Sequence, residues 1–160
     1  MQPMDFRRRQ FLRVLASLGL LGVPRTLLAA GEPIAVVMGS GSGQRALSGD
    51  KLRRIFLATP TDDDEGHRFV PINLGQTTSV RERFDRSVLK LSPEEVARYW
   101  IDQRLRGNKP PRSASTVELV RRAVQELPGS ISYLPLSSAT GLRIVNIDGR
   151  APSDSGYLLR

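Results

Sequence analysis

The first thirty residues are set apart from everything after them, and this decides how much chain is left to fold. Arg8-Arg9-Gln10-Phe11-Leu12-Arg13 precedes an apolar stretch from Val14 to Val23, and the small residues Ala29-Ala30-Gly31 follow. A charged segment, a short apolar segment and a small-residue cleavage zone, in that order, read as an export address that is removed. An apolar stretch of ten residues is too short to span a bilayer, which takes about 20. We therefore expect residues 1–30 to be the signal, with cleavage after Ala30, and residues 31–160 to make one domain.

The arginine pair with its Gln-Phe-Leu-Arg continuation resembles the twin-arginine (Tat) export signal of bacteria. Ser17, Gly19 and Gly22 dilute the apolar stretch, and Arg25 sits ahead of the cleavage zone; both features fit that pattern. Arg7 stands where such signals usually have Ser or Thr. An ordinary secretory signal and an uncleaved amphipathic anchor are the alternatives. Export places the chain in a bacterial periplasm. That compartment argues against nucleic acid as a partner.

An exported chain commonly leans on disulfides, but this one has no cysteine. Its fold must rest on packing alone. Thiolate zinc sites, iron–sulfur clusters and cysteine nucleophiles are excluded. The net charge is +8, of which half lies in the first thirty residues: five arginines there face one aspartate. The remaining +4 suits an anionic ligand or surface.

Pro33 to Met38 reads as a short buried strand, followed by the loop Gly39-Ser40-Gly41-Ser42-Gly43. Ser48 caps a helix in which Leu47 and Leu52 form a hydrophobic staple, and Leu52, Ile55 and Phe56 supply the buried stripe. Thr61 to His67 is a polar loop. Arg68 to Leu74 is a second strand, with Pro71 suggesting an edge or strand-end position. Thr77-Thr78-Ser79 opens a helix, Ser79 and Glu82 having capping-box spacing, with Val80, Phe84 and Val88 as its apolar stripe. Ser92-Pro93-Glu94-Glu95 starts another, with Val96 and Trp100 facing inward. Ser115-Thr116-Val117-Glu118 reads as a further capping box ahead of Val120 and Val124. Ile131–Leu134 and Arg143–Ile147 are strands, and Tyr157–Leu159 a final edge strand. Strands alternating with helices predict an α/β domain, helices on both faces of the sheet.

Three blocks, taken together, resemble the phosphate-binding subgroup of substrate-binding proteins of ABC transporters. Leu47-Ser48 through Leu52 to Ile55-Phe56 is similar to the family's Leu-Ser-x-x-x-Leu-x-x-Ile-Phe helix. Tyr99-Trp100 with Gly107 and Pro110-Pro111 is similar to its Tyr-Trp…Gly…Pro stretch. Gly129-Ser130-Ile131-Ser132-Tyr133-Leu134 is similar to its Gly-x-Ile-Gly-Tyr strand. Ala58 and Ser132 replace glycines of that pattern. The resemblance implies a single three-layer lobe of the type II periplasmic-binding-protein kind, where full-length members have two. It also implies that the phosphate-binding Ser-Gly-Thr motif falls near Thr78-Ser79-Val80.

Two places emerge as ligand candidates. At Thr77, Thr78 and Ser79, a helix start offers backbone N–H groups and hydroxyls to an oxyanion, with Arg81 in the first turn adding charge. At Ser40, Gly41 and Ser42, a Gly/Ser loop directly after a strand offers unhindered amides. Plain N-capping and a flexible connector are the bland counterparts. His67, the only histidine, with Asp62, Asp63, Asp64 and Glu65 reads as a solvated acidic turn, so no metal is expected. No catalytic constellation, and hence no enzyme, and no cofactor are expected. The reading is an exported single-lobe binding protein holding phosphate or a related oxyanion weakly. The alternative is a protein-interaction or self-association module built on the lobe face that a second lobe would cover.

Overall fold

The computed structural model describes residues 31–160; the signal segment read from the sequence lies outside them. The elements are β1 (Ile34–Met38), β2 (Ala46–Leu47), α1 (Gly49–Phe56), β3 (Val70–Leu74), α2 (Ser79–Phe84), α3 (Pro93–Leu105), β4 (Arg112–Ala114), α4 (Val117–Glu126), β5 (Ser130–Pro135) and β6 (Arg143–Ile147). α2 runs on into a wider π turn over Asp85–Leu89. The strands form one six-stranded mixed sheet in the order β2-β6-β1-β5-β3-β4.

β1 and β5 are the central strands, and their burial explains their composition. All five residues of β1 and the first five of β5 are buried. A strand covered on both faces needs no polar alternation, so Ile-Ala-Val-Val-Met reads as one apolar run. Successive β5 side chains point to opposite faces. Tyr133 stacks on Phe84 at 3.7 Å and 5°, and Phe56 meets both rings edge-on at 4.7 and 5.5 Å. That face is covered by α1 and α2. Ser130, three residues earlier, faces the other way and donates to the Val124 carbonyl of α4 at 3.4 Å. The sheet therefore carries helices on both faces, as the sequence predicts.

The helix starts are set by local chemistry. Ser48 accepts from the Lys51 N–H, and Leu47 and Leu52 are both buried beside it. Ser92 and Glu95 form a reciprocal capping box, with Pro93 as the first helical residue. Two caps fall one residue away from the sequence reading: Thr78, not Ser79, caps α2, and Thr116, not Ser115, caps α4. Each hydroxyl accepts from the N–H three residues on, so Glu82 and Glu118 are left as first-turn acids rather than box partners. Trp100 is buried beside Tyr99, whose hydroxyl donates to the Leu57 carbonyl at 2.9 Å.

The chain end, two short strands and Pro71 add detail to the sequence reading. Tyr157–Leu159 is not a strand: only the Ile34 N–H reaches the Leu159 carbonyl, at 2.9 Å, while Tyr157 and Leu159 bury their side chains. The two-residue β2 and three-residue β4 were not expected, being too short to show periodicity. Of the two positions open to Pro71 the structure gives the strand end: β3 lies inside the sheet order, and Pro71 is its second residue, one ahead of the β3–β4 ladder that begins at Ile72.

Candidate functional site

The sheet topology separates the two ligand candidates. β1 runs antiparallel to β5, and β3 runs parallel to it. The loop Ser40-Gly41-Ser42 leaves the C-terminal end of β1, and Thr77-Thr78-Ser79 follows the C-terminal end of β3. They therefore lie at opposite ends of the sheet, and no single ligand touches both.

At the Thr77 end, two helices start side by side. β3 and β4 pair in parallel with Leu74 opposite Ala114. Each strand turns at once into a helix, β3 through Gly75–Thr78 into α2 and β4 through Ser115–Thr116 into α4. The turns touch: a Cβ on Gly75 would sit 3.7 Å from the Ser115 carbonyl oxygen. A crevice beyond the carboxyl ends of parallel strands is where open α/β sheets receive ligands. Two helix N-termini at this edge present first-turn N–H groups and the positive ends of their dipoles. Gln76, Thr77, Ser79, Ser115 and Thr116 are all exposed at this edge.

The side chains divide into those free to meet a ligand and those already engaged. The Thr78 hydroxyl donates to the Gly75 carbonyl at 2.9 Å and accepts from the Arg81 N–H at 3.2 Å. Its one proton is used inside the protein, so Thr78 shapes the turn. The Ser79 and Val80 N–H groups have no protein acceptor among the described residues. Arg81 lies differently from the sequence expectation. Its guanidinium is buried, with Nε 2.8 and 2.6 Å from the two oxygens of Asp85 and Nη1 3.3 Å from the Leu74 carbonyl. Burial pushes the Asp85 carboxyl above its ordinary value, with Arg81 pulling the other way. Arg81 thus meets a carboxylate and a carbonyl beneath the turn and brings no free positive charge to this edge. Glu82 and Glu118, in the first turns of α2 and α4, oppose an anion there.

The other end is more basic. The Gly39 N–H donates to the Ser130 carbonyl at 2.8 Å and the Gly129 N–H to the Ser40 carbonyl at 2.7 Å, which pins the glycine loop to the start of β5. Gly41 has φ +82°, a backbone region that side chains avoid. Ser42 is buried, and its carbonyl accepts from the Arg143 guanidinium. An open cavity of about 620 Å³ borders Gly41, Ser42, Gly43, Arg45, Glu65 and Arg143. The two arginines come from sequence-distant places, and no local motif marked them.

No protein-family model and no curated protein matches the sequence. Solved structures do. A substrate-binding protein from Clostridium perfringens, described as a putative phosphate ABC transporter component with bound phosphate, superposes with a TM-score of 0.60 at 16% identity. An ABC-type phosphate transport receptor from Vibrio cholerae gives 0.62 at 10% identity, and PstS from Borrelia burgdorferi 0.62 at 14%. In each case 76% of this chain aligns with 47 to 49% of the other, so the chain spans about half the length of these proteins. The chain has the fold of one lobe of such a binding protein. These neighbours are binding proteins rather than enzymes. No described helix is long and apolar enough to cross a membrane.

Proposed function

We propose that the chain is an exported, single-lobe solute-binding protein that holds phosphate or a related oxyanion weakly at the paired starts of α2 and α4. The observation that carries this is the parallel β3–β4 register, which sets two helix N-termini side by side beyond the strand ends. The solved lobe-sharing proteins, one of them with bound phosphate, support the same ligand class. The Ser79 and Val80 N–H groups and the hydroxyls of Thr77 and Ser79 are the donors; Arg81 and Thr78 hold the turn in shape. Weak binding follows from the geometry. One lobe leaves the ion open to water, which screens the charge and competes for the donors. The first-turn acids Glu82 and Glu118 add repulsion. We expect a Kd on the order of 0.1–1 mM.

The test is an NMR titration with phosphate of the wild type and a Ser79→Pro variant. Ser79 is the first helical residue, and Thr78 before it is extended at φ −89°, ψ 138°, so proline fits there while removing the N–H and the hydroxyl. Saturable shifts at residues 77–81, weakened in Ser79→Pro, are expected. No shifts at about 10 mM phosphate, some tenfold above the weakest expected Kd, would refute the site. Export is tested separately. Replacing Arg8 and Arg9 by lysine should leave the precursor inside the cell; normal export of that variant in cells lacking Tat would assign the secretory route instead.

A docking or self-association module is the second reading. Ile101 and Leu105, four residues apart on α3, are 59% and 84% exposed. They form one apolar stripe on the outer side of a helix whose inner side carries Val96 and Trp100. Concentration-dependent association in sedimentation, lost in an Ile101→Glu/Leu105→Glu variant, would favour this reading.

A further inference from the structure

We propose that Asp63, Glu65 and His67 form a binding site for a divalent transition-metal ion of the zinc kind. The site lies in the loop before β3, at the end of the sheet opposite the proposed oxyanion site. His67 Nδ1 is 3.6 Å from Asp63 Oδ2 and 3.6 Å from Glu65 Oε2. One ligand atom from each residue lies within 4.8 Å of the other two. Zinc bonds of about 2.0–2.1 Å in tetrahedral array put ligand atoms roughly 3.4 Å apart. Both separations from Nδ1 are close to that, and the two carboxylate oxygens, within 4.8 Å of each other, close the rest by rotation of the exposed Glu65 side chain.

The decisive observation is the carboxyl group of Asp63. Its side chain is only 2% exposed, and its two oxygens have different surroundings. Oδ1 accepts from the Glu65 N–H at 3.0 Å and from the His67 N–H at 2.8 Å. Those bonds shape the loop and fix the carboxylate plane. Oδ2 is buried and has no hydrogen-bond partner, and it faces the imidazole. At 3.6 Å the ring nitrogen is too far to donate to it. A buried carboxylate oxygen needs a donor or a positive partner; the Ser42 hydroxyl lies near this carboxylate but makes no close bond to Oδ2, which leaves room for a charge partner. A cation between Oδ2, Oε2 and Nδ1 supplies it, and the bonds to Oδ1 are then the outer-shell contacts that orient a metal ligand.

The donor set also selects among ions. Two carboxylates and one imidazole suit zinc and its neighbours in the first transition row. Calcium takes six to eight oxygens, roughly, and magnesium near-octahedral oxygen with retained water, so neither matches a site with one nitrogen among three donors. Glu65 also borders the open cavity lined by Arg45 and Arg143.

The chain's single histidine makes the test direct. The full chain, prepared without a polyhistidine tag, is titrated with zinc chloride by calorimetry and by NMR of the imidazole resonances. The expected result is saturable one-to-one binding with a Kd on the order of 1–100 μM. The imidazole signals should shift, and magnesium should not displace the zinc at roughly hundredfold excess. His67→Ala and Glu65→Gln should each weaken binding at least about tenfold, which is about 1.4 kcal/mol. Both side chains are about 60% exposed, so the fold should survive both changes. Phosphate binding should be unchanged in both, since that site is at the far end of the sheet. No zinc binding at about 1 mM, binding unaffected by His67→Ala, or equal binding of magnesium would each overturn the proposal.

Discussion

Ala58 offers a sharp test of backbone energetics in this fold. α1 ends at Phe56, and the chain leaves it through a Schellman turn: the Ala58 N–H reaches the Ile55 carbonyl at 3.2 Å and the Thr59 N–H reaches the Arg54 carbonyl at 3.0 Å. This turn needs a left-handed residue after the cap, and Ala58 takes that place at φ +55°. Holding a residue with a Cβ there costs about 1–2 kcal/mol. Ala58→Gly removes that cost but makes the unfolded chain more flexible, which returns about 0.5–1 kcal/mol. The net expectation is a gain of about 0.5–1 kcal/mol, seen as a rise in Tm of about 2–4 °C. Urea unfolding should show a higher midpoint with an unchanged slope. Asp148→Gly is the control. Asp148 also lies left-handed, at φ +51°, but its Oδ1 accepts from the Gly49 N–H at 3.0 Å and so caps the start of α1. Losing that bond costs about 1 kcal/mol, so backbone relief and lost cap should nearly cancel. If Ala58→Gly lowers stability, or if both variants gain equally, the reasoning from backbone strain fails.

Two other expectations are checked as readily. Trp100→Ala should cost about 3–5 kcal/mol in urea unfolding, since the side chain is 6% exposed and packs edge-on against Tyr99; a loss under about 1 kcal/mol would place the ring on the surface. The three tyrosines should resist ionisation at pH 10, because burial raises all of them above the ordinary value of 10.0, Tyr157 to about 12 and Tyr133 further. With folded values above unfolded ones, this stabilisation is complete below pH 10 and is lost as pH rises through the folded values. Phenolate absorbance and loss of structure should therefore rise together between pH 10 and about 12. Half-ionisation at pH 10 in the folded protein would show the rings to be solvated.

The parts of this protein that the sequence determined are those governed by neighbours along the chain. Ile34–Met38 is an apolar run too short for a buried helix and without polar alternation, and it is a central strand. Ser48 and Ser92 carry the hydroxyl that satisfies a first-turn N–H three residues on, and both cap as read. Leu52, Ile55 and Phe56 or Val96 and Trp100 repeat at helical spacing, and each set is buried. The α/β class and the single-lobe reading follow from this local order, with three short blocks of resemblance.

Tertiary structure decided what those signals mean in space. Thr77, Thr78 and Ser79 all look like donors in sequence; the turn from Gly75 makes Thr78 the cap and leaves its neighbours exposed. Arg81 reads as a charge for a ligand until the fold brings Asp85 and the Leu74 carbonyl around it. The importance of Ser115 and Thr116 depends on β4, whose three residues carry no periodicity and become a strand only by pairing with β3. Strand direction, too, sends the two hydroxyl-rich loops to opposite ends of the sheet. Direction and pairing are set by contacts between residues far apart in the chain, and the energy of those contacts leaves no local pattern to read.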